Sequence, residues 1–474
     1  LFFDRKNIGD LLQRIQDHTR IQNFLSSSTL GALFSFVNIV VFSLVLAYYN
    51  MIIFTVFSLG TLLYLGWTIL FLKKRKELDY KRFDLASGNQ SSVVQLLNGM
   101  QEIKLNGSER RRRWEWETIQ ARLYKVSIKS LALQQTQNIG GSSINQLKNI
   151  IITFLAAKSV IDGGLTLGAM LSVQYILGQL NVPVNSLISF IQSAQDTQIS
   201  LARISDVHLQ EDEENKIEDN VKQLPNNKSI YLNDLSFRYG SKHSPLVLKN
   251  INLEIPESKV TAIVGASGSG KTTLLKHLLR IIDPANGDIK VGNTALSDFS
   301  VSFWRSKCGS VMQEGYIFSD TIVRNITESD SKGLVDKERL LQAVKTANIE
   351  LFIESLPMGY NTKIGASGMG ISGGQKQRIL IARAIYKNPD YLFFDEATSA
   401  LDSTNESEIM KKLNLFFKKR TVVVVAHRLS TVKKADNIIV LERGEIIERG
   451  NHRELVNKRG VYYRLVKDQL ELGN

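Results

Sequence analysis

The sequence predicts a multidomain chain: an all-α helical domain that crosses a membrane, followed by an α/β domain built around a largely parallel sheet. Three observations carry this. No Asp, Glu, Lys or Arg occurs from Ile21 to Leu72, a span of 52 residues. From Ser229 onward, short β-rich runs alternate with helical ones. The run GASGSGKT at 265 to 272 fits the pattern Gly, four residues, Gly, Lys, Ser/Thr, directly after the apolar stretch Val260 to Val264.

The uncharged span comes first in the chain. One membrane pass needs about 20 apolar residues, so two passes fit, roughly Leu30 to Tyr49 and Ile52 to Leu72, joined by a tight turn at Asn50. Arg14 and Arg20 precede the pair and Lys73, Lys74, Arg75 and Lys76 follow it, which places both ends in the cytoplasm and Asn50 outside. A second pair is fainter. Ile139 to Val160 contains Lys148 and Lys158, and Leu165 to Ile191 is uncharged but interrupted by Pro183. About four membrane helices are therefore expected. Polar groups within such helices face a bundle interior or a watery path. Gln134, Gln137, Gln146, Gln174 and Gln179 are accordingly candidates for lining a cavity or for bonding between helices.

Between the pairs, Lys73 to Lys129 is strongly charged with apolar residues near helical spacing, and reads as long cytoplasmic helices. Arg110 to Arg113, followed by Trp114 and Trp116, suggests nucleic acid when taken alone. Its place between membrane hairpins favours instead a cytoplasmic loop that packs its tryptophans on a neighbouring domain and keeps its arginines near water or anionic lipid.

Composition changes at the acidic stretch Glu211 to Asp219, and Pro225, Asn226 and Asn227 supply breakers. The expected division is a helical domain over 1–205, an acidic linker over 206–228 and an α/β domain over 229–474. The expected β-rich runs are Ser229 to Phe237, Val260 to Val264, Lys276 to Ile282, Tyr391 to Phe394, Thr421 to Val425 and Ile438 to Leu441.

Length and charge agree with this division. A chain of 474 residues exceeds one ordinary domain, and 43% hydrophobic with 22% charged residues fits neither disorder nor a wholly membrane-buried protein. The net charge of +13 suits cytoplasmic segments of a membrane protein as well as nucleic acid, so its placement decides. Cys308, the only cysteine, excludes an internal disulfide or a cysteine zinc cluster and is expected buried in a strand.

The chemistry of the α/β domain follows from residue types. Gly265, Ser267, Gly268, Ser269 and Gly270 form a loop whose N–H groups curl around phosphates; Lys271 reaches the terminal phosphates and Thr272, followed by Thr273, ligates Mg2+. The strand Tyr391 to Phe394 ends in two carboxylates, Asp395 for the metal and Glu396 to orient and polarise the attacking water. Ser372, Gly373, Gly374 and Gln375 open a helix and make a second anion site. The first loop satisfies the phosphates in cis, so a second phosphate site makes most sense closing on ATP held by another copy. A dimer with ATP at its interface is the expectation.

The set GASGSGKT, Gln313, ISGGQ, FFDE, Ser399 to Asp402 and His427 resembles the nucleotide-binding domain of an ABC transporter. The resemblance implies that Tyr239 stacks on adenine, Gln313 senses Mg2+ and the γ-phosphate, and Ser372 with Gly374 grips the γ-phosphate from the opposite subunit. It also implies that Asp402 links the two sites and His427 contacts the γ-phosphate. The upstream part resembles the membrane domain of the exporter branch. By that comparison the chain begins inside the first intracellular loop, its four passes would be the last four of six, and residues 5–17 and 98–116 look like the coupling loops. The second of these is similar to bacterial peptide and bacteriocin exporters that carry a leader peptidase.

The resemblance further implies an integral protein of the bacterial inner (cytoplasmic) membrane with its nucleotide-binding domain in the cytoplasm. The implied partners are a second copy of the chain, membrane lipid and a transported peptide, with no nucleic acid. Alternating access driven by ATP is the implied mechanism; a lipid flippase or multidrug exporter shares every motif, and a soluble ATPase acting on nucleic acid or ribosomes is more distant. Two positions depart from the pattern: Ala366 stands where many exporters carry a glutamate that touches the coupling loops, and Ile371 replaces the usual leucine.

Overall fold

A computed structural model describes residues 7–209, 213, 221–240, 243–330, 333–365, 368–397, 403–426 and 432–471. The chain divides into two compact units, Leu1–Glu211 and Asp212–Asn474.

The first unit is helical. Helix α1 (Ile8–Asn23) runs through a π-helical turn (Phe24–Ser28) into α2 (Thr29–Tyr49), so the segment expected as a loop at 5–17 is helical from Ile8. Asn50 is extended, and its side-chain oxygen accepts from the N–H groups of Ile52 (2.9 Å) and Ile53 (3.2 Å), capping α3 (Met51–Asn98) as the tight turn requires. Next come α4 (Met100–Leu105), α5 (Glu109–Ile161) and α6 (Leu167–His208). At 48, 53 and 42 residues, α3, α5 and α6 are each roughly 60–80 Å long at 1.5 Å per residue, about twice a hydrocarbon core of ~30 Å.

Three expectations are corrected here. Four long helical runs are present, but the first unit's described residues hold six α-helices and a π-helical turn, because the 98–116 segment contains a short helix and the first run is broken into three elements. Pro183 does not interrupt its segment: α6 is continuous through it, with Pro183 buried against neighbours. The Arg110–Arg113 run is the start of α5 and not a loop. Arg111, Arg112 and Arg113 pair with Glu115 and Glu117 along the helix, and the Trp116 indole donates to Asn89 of α3 at 3.0 Å, inside its own unit. By length and composition, the run Ile8–Tyr49 and helix α3 are able to cross a membrane among the described residues; α5 and α6, of mixed composition, fall short of that measure.

Glycines of α5 let α3 approach closely. A Cβ on Gly141 would collide with the Tyr64 ring, and one on Gly140 with Trp67, whose indole donates to the Gln137 carbonyl at 3.1 Å. Beside this seam Leu46, Ile53, Phe57, Ile152, Ala156, Leu177 and Leu180 make a small buried core.

In the second unit, a six-stranded sheet runs in the order β10-β9-β3-β8-β7-β6. Its parallel strands are β3 (Val260–Val264), β6 (Cys308–Val311), β7 (Tyr391–Asp395), β8 (Thr421–Val425) and β9 (Asn437–Glu442), with β10 (Glu445–Gly450) antiparallel at the edge. A smaller antiparallel sheet is made by β1 (Ile230–Phe237), β2 (Leu248–Ile255), β4 (Asn286–Val291) and β5 (Thr294–Ala295). The period of two decides which core each side chain joins. Leu392, Phe394, Val422 and Val424 point to the face covered by α12 (Gly373–Tyr386), whereas Tyr391, Phe393, Val423 and Val425 point to the side holding α7 (Lys271–Leu278) and Trp304.

Lys276 to Ile282, expected as β-rich, is instead the end of α7 and the turn after it. Its apolar residues Leu274, Leu275 and Leu278 are buried at helical spacing, so a period of 3.6 was mistaken for one of two. Cys308 is buried at the start of β6, as expected. Val221 pairs with Phe299, so part of the expected linker lies on the second unit.

Candidate functional site

The carboxyl edge of the parallel sheet gathers the predicted chemistry. The phosphate loop leaves β3, Asp395 and Glu396 end β7, and Gln313 follows β6 by two residues. Parallel strands all deliver their chain ends to this one edge.

The loop's geometry demands its glycines. Gly265 has φ +155°, and any Cβ there would collide with the Leu441 carbonyl; Gly270 has φ +104° at the start of α7, where a Cβ would sit 2.8 Å from a Leu248 methyl. The first N–H groups of the eight-residue α7 have no intrahelical acceptor and face the loop. Lys271 is buried, and its ammonium donates to the carbonyls of Gly265 and Ala266, both at 2.9 Å. Burial lowers its pKa, opposed by the nearby charges of Glu396 and Asp395. The Ser269 hydroxyl is buried with no hydrogen-bond partner among the described residues. Free N–H groups, an orphan hydroxyl and a buried cation in one cradle suit a polyphosphate anion.

Asp395 is fully buried in the last position of β7. Glu396, one residue on, has φ +51°, a left-handed conformation that costs a non-glycine residue about 1 kcal/mol or more. Its N–H donates to the Val425 carbonyl (3.2 Å), its carbonyl accepts from Gln377 Nε2 (3.0 Å), and its carboxylate accepts from Gln313 Nε2 (3.2 Å). These contacts hold the carboxylate clear of the strand and beside the phosphate loop. A buried carboxylate, a threonine hydroxyl (Thr272) and an amide oxygen (Gln313) are the hard oxygen donors Mg2+ takes. The site thus fits the metal by donor chemistry.

Tyr239 is joined to this region: its hydroxyl lies 3.3 Å from Thr273 Oγ1 and its ring meets Phe237 edge-on at 4.9 Å, leaving it 43% exposed. Ser372 is the N-cap of α12, a 14-residue helix. Its hydroxyl accepts from Gln375 N (3.2 Å) while Gln375 Oε1 accepts from Ser372 N (2.8 Å), a reciprocal capping box. The Gln375 side chain, expected at the nucleotide, is therefore committed to the helix start; the N–H groups of Gly373 and Gly374 stay available there. Asp402, His427 and Ala366 lie outside the described residues.

Sequence reasoning missed Gln377 and the backbone strain at Glu396. Gln377 stands two residues beyond ISGGQ without a spacing rule of its own; only the packing of α12 against β7 brings it to Glu396. The spacing Ser-x-x-Gln at 372–375 did carry the capping signal.

Residues 248–399 match the family described as ABC transporter, and residues 1–184 the family described as ABC transporter transmembrane region. Among curated proteins, the chain is 36% identical over 471 residues to the exotoxin translocation ATP-binding protein PaxB of Pasteurella aerogenes, covering 98% of this chain and 65% of that protein. It is also 36% identical to the leukotoxin translocation ATP-binding protein LktB of Mannheimia haemolytica, covering 99% of this chain and 66% of that one. The chain thus spans slightly less than two thirds of the length of these relatives. A bacterial Atm1-family ABC exporter solved with ATP bound superposes with a TM-score of 0.91 at 26% identity, covering 98% of this chain and 81% of that one.

Proposed function

The chain belongs to the ABC transporters, in the form that fuses a transmembrane region to an ATP-binding domain, and from that premise we propose that it is an ATP-driven exporter of a peptide or protein. The observation that carries the ATPase half of this reading is the convergence of Lys271, Gln313, Asp395 and Glu396 on one sheet edge. Support for a polypeptide substrate comes from relatives named for toxin and leukotoxin translocation, aligned along 98–99% of this chain.

In this reading the phosphate loop binds the ATP tail through its N–H groups and the Ser269 hydroxyl, while Lys271 exchanges its loop carbonyls for phosphate oxygens. Tyr239 supports the base. Thr272, Gln313 and Asp395 hold Mg2+, which supplies charge neutralisation at the phosphates. Glu396 accepts the proton of the attacking water, oriented by the Gln313 amide. The exposed start of α12, at Ser372–Gly374, closes on ATP held by a second copy, and Asp402 and His427 act at that same shared site. ATP bridging two copies favours the closed arrangement, and its hydrolysis removes that bias. Helices α5 and α6 complete the membrane path with α2 and α3 in a bacterial cytoplasmic membrane.

Glu396→Gln tests this. ATP turnover is expected to fall by about a hundredfold or more, the contribution of a positioned general base, with ATP binding retained in a filter or fluorescence assay. Turnover at the wild-type rate overturns the assignment.

A further inference from the structure

The main chain at Glu396 is strained and has to be held. A residue other than glycine keeps a left-handed conformation only where its surroundings over-determine it. At φ +51°, Glu396 donates its N–H to the Val425 carbonyl (3.2 Å), and its own carbonyl accepts from Gln377 Nε2 (3.0 Å). One bond fixes the peptide before the residue and the other the peptide after it, so together they set φ and ψ. The second bond comes from a different element, the helix α12.

Gln377 shares its side of that helix with Leu380 and Arg383, which follow it at spacings of three. Leu380 fills the space over Gly315, where a Cβ would come within 2.2 Å of a Leu380 methyl. Arg383 donates to the carbonyls of Tyr316 (2.9 Å) and Asn325 (2.7 Å). The fully buried Asn325 in turn accepts from Phe318 N at 2.9 Å and donates to the Phe318 carbonyl at 3.0 Å. This side of α12 therefore grips Glu396 at one end and the chain just after Gln313 at the other. The 3.2 Å bond from Gln313 to the Glu396 carboxylate joins two arms whose separation α12 sets.

We propose that Gln377 is a positioning residue for ATP hydrolysis: its amide sets the main chain of Glu396 and so aims the carboxylate at the attacking water. Being neutral, the amide does this without a charge that would pair with the carboxylate itself. With the donor removed, the peptide after Glu396 loses this bond, the residue relaxes toward an ordinary φ, and the carboxylate swings away from Gln313. The inference rests on the reading of Glu396 as the base and deepens it. In that reading the start of α12 meets ATP held by a second copy, so the helix that meets one nucleotide holds, by its side, the base that serves the other.

The test uses the full chain in nanodiscs, with steady-state turnover, affinity for a fluorescent ATP analogue and the melting midpoint measured on each variant. Gln377→Met keeps side-chain length and helix propensity and removes the donor. Its kcat is expected to fall at least about tenfold, as when a catalytic group is displaced, with ATP affinity and melting midpoint unchanged. Gln377→Asn, one methylene short of the carbonyl, is expected to lose turnover likewise, and it decides the matter if Gln377→Met melts earlier. In a Glu396→Gln background, Gln377→Met is expected to bring no further loss, because the two residues act as a unit. Wild-type kcat in either Gln377 variant, or a loss that multiplies in full with that of Glu396→Gln, overturns the proposal. So does a kcat loss accompanied in both variants by weaker ATP binding or an earlier melt, which marks a merely structural role. Wild-type turnover in Glu396→Gln is a separate result, the failure of the base assignment itself.

Discussion

The two units sort their side chains by opposite rules. In the second, Val422 to Val425 and Leu392 to Phe394 are all buried on one face of the sheet or the other, and the buried charges Lys271 and Asp395 belong to the phosphate site. In the first, Phe34, Leu44, Leu62 and Leu63 are exposed by 60% or more, while Asp17, Lys148 and Arg203 are buried. Arg203 bridges Asp17 (3.5 Å) and Asp79 (2.8 Å), Ser200 donates to Asp17 at 2.7 Å, and the Arg203 guanidinium lies 4.0 Å from the centre of the Phe83 ring. Lys148 lies over the Phe57 ring at 4.5 Å. An outward apolar surface is stable only against hydrocarbon, and once lipid covers it, the helix contacts are left to glycine seams, hydrogen bonds and ion pairs. The same amino acids thus stabilise each unit in a different solvent.

Breaking the internal charge network gives the largest expected effect. Arg203→Met removes the buried cation from Asp17 and Asp79, leaving them only the more exposed Arg20 at 3.7 and 3.5 Å, and should cost up to about 3–5 kcal/mol, read as a lower melting midpoint in nanodiscs; an unchanged midpoint would show the network to be idle.

A matched pair of substitutions sharpens the contrast. Leu44 and Leu351 are both exposed, at 67% and 84%. Leu44→Asp should impair membrane insertion by about 3–4 kcal/mol, whereas Leu351→Asp, on the second unit, should alter stability by no more than ~0.5 kcal/mol. Similar insertion and yield for the two variants would contradict the lipid-facing assignment.

Acid should act on the second unit through a core histidine. His277, on α7, is 1% exposed, donates from Nδ1 to the Ile282 carbonyl at 3.0 Å, and has its pKa pushed down by burial to about 4. The unfolded chain takes up this proton near the ordinary 6.5 and the folded chain only near 4. The contribution is therefore complete above the ordinary value and is lost as pH falls toward 4, by about 3 kcal/mol in all. Denaturant melts of the strand signal between neutral pH and pH ~4.5 should show this, with a smaller loss in His277→Gln; an equal loss in both would refute it.

Legibility followed the same divide. The phosphate loop and strands β3, β7 and β8 were readable because each signal is local: a fixed glycine spacing, or an apolar run bounded by breakers. The strand β4, with Asp288 and Lys290 on a half-exposed sheet, carried no such run and was missed. Pro183 misled because a proline's lost hydrogen bond reads as a break in water, while a surrounding bundle tolerates it. Of the five candidate glutamines, Gln134 and Gln137 line a cavity of the first unit and Gln174 donates to Thr153 at 2.7 Å, but Gln146 and Gln179 are exposed. A helix's period locates a face without saying which neighbour meets it.

From the sequence alone came the order of the two domains, the apolar spans, the residues of the phosphate loop and the pair Asp395–Glu396, because each is written in consecutive residues or a fixed short spacing. Tertiary structure alone decided that Gln313 and Gln377 reach Glu396 from 83 and 19 residues away. It likewise placed Arg82 and Gln137 in one cavity and locked Asp17 to Arg203 across 186 residues. Those contacts depend on which strand edge or helix face is brought alongside, and packing sets that through the shape of the whole unit.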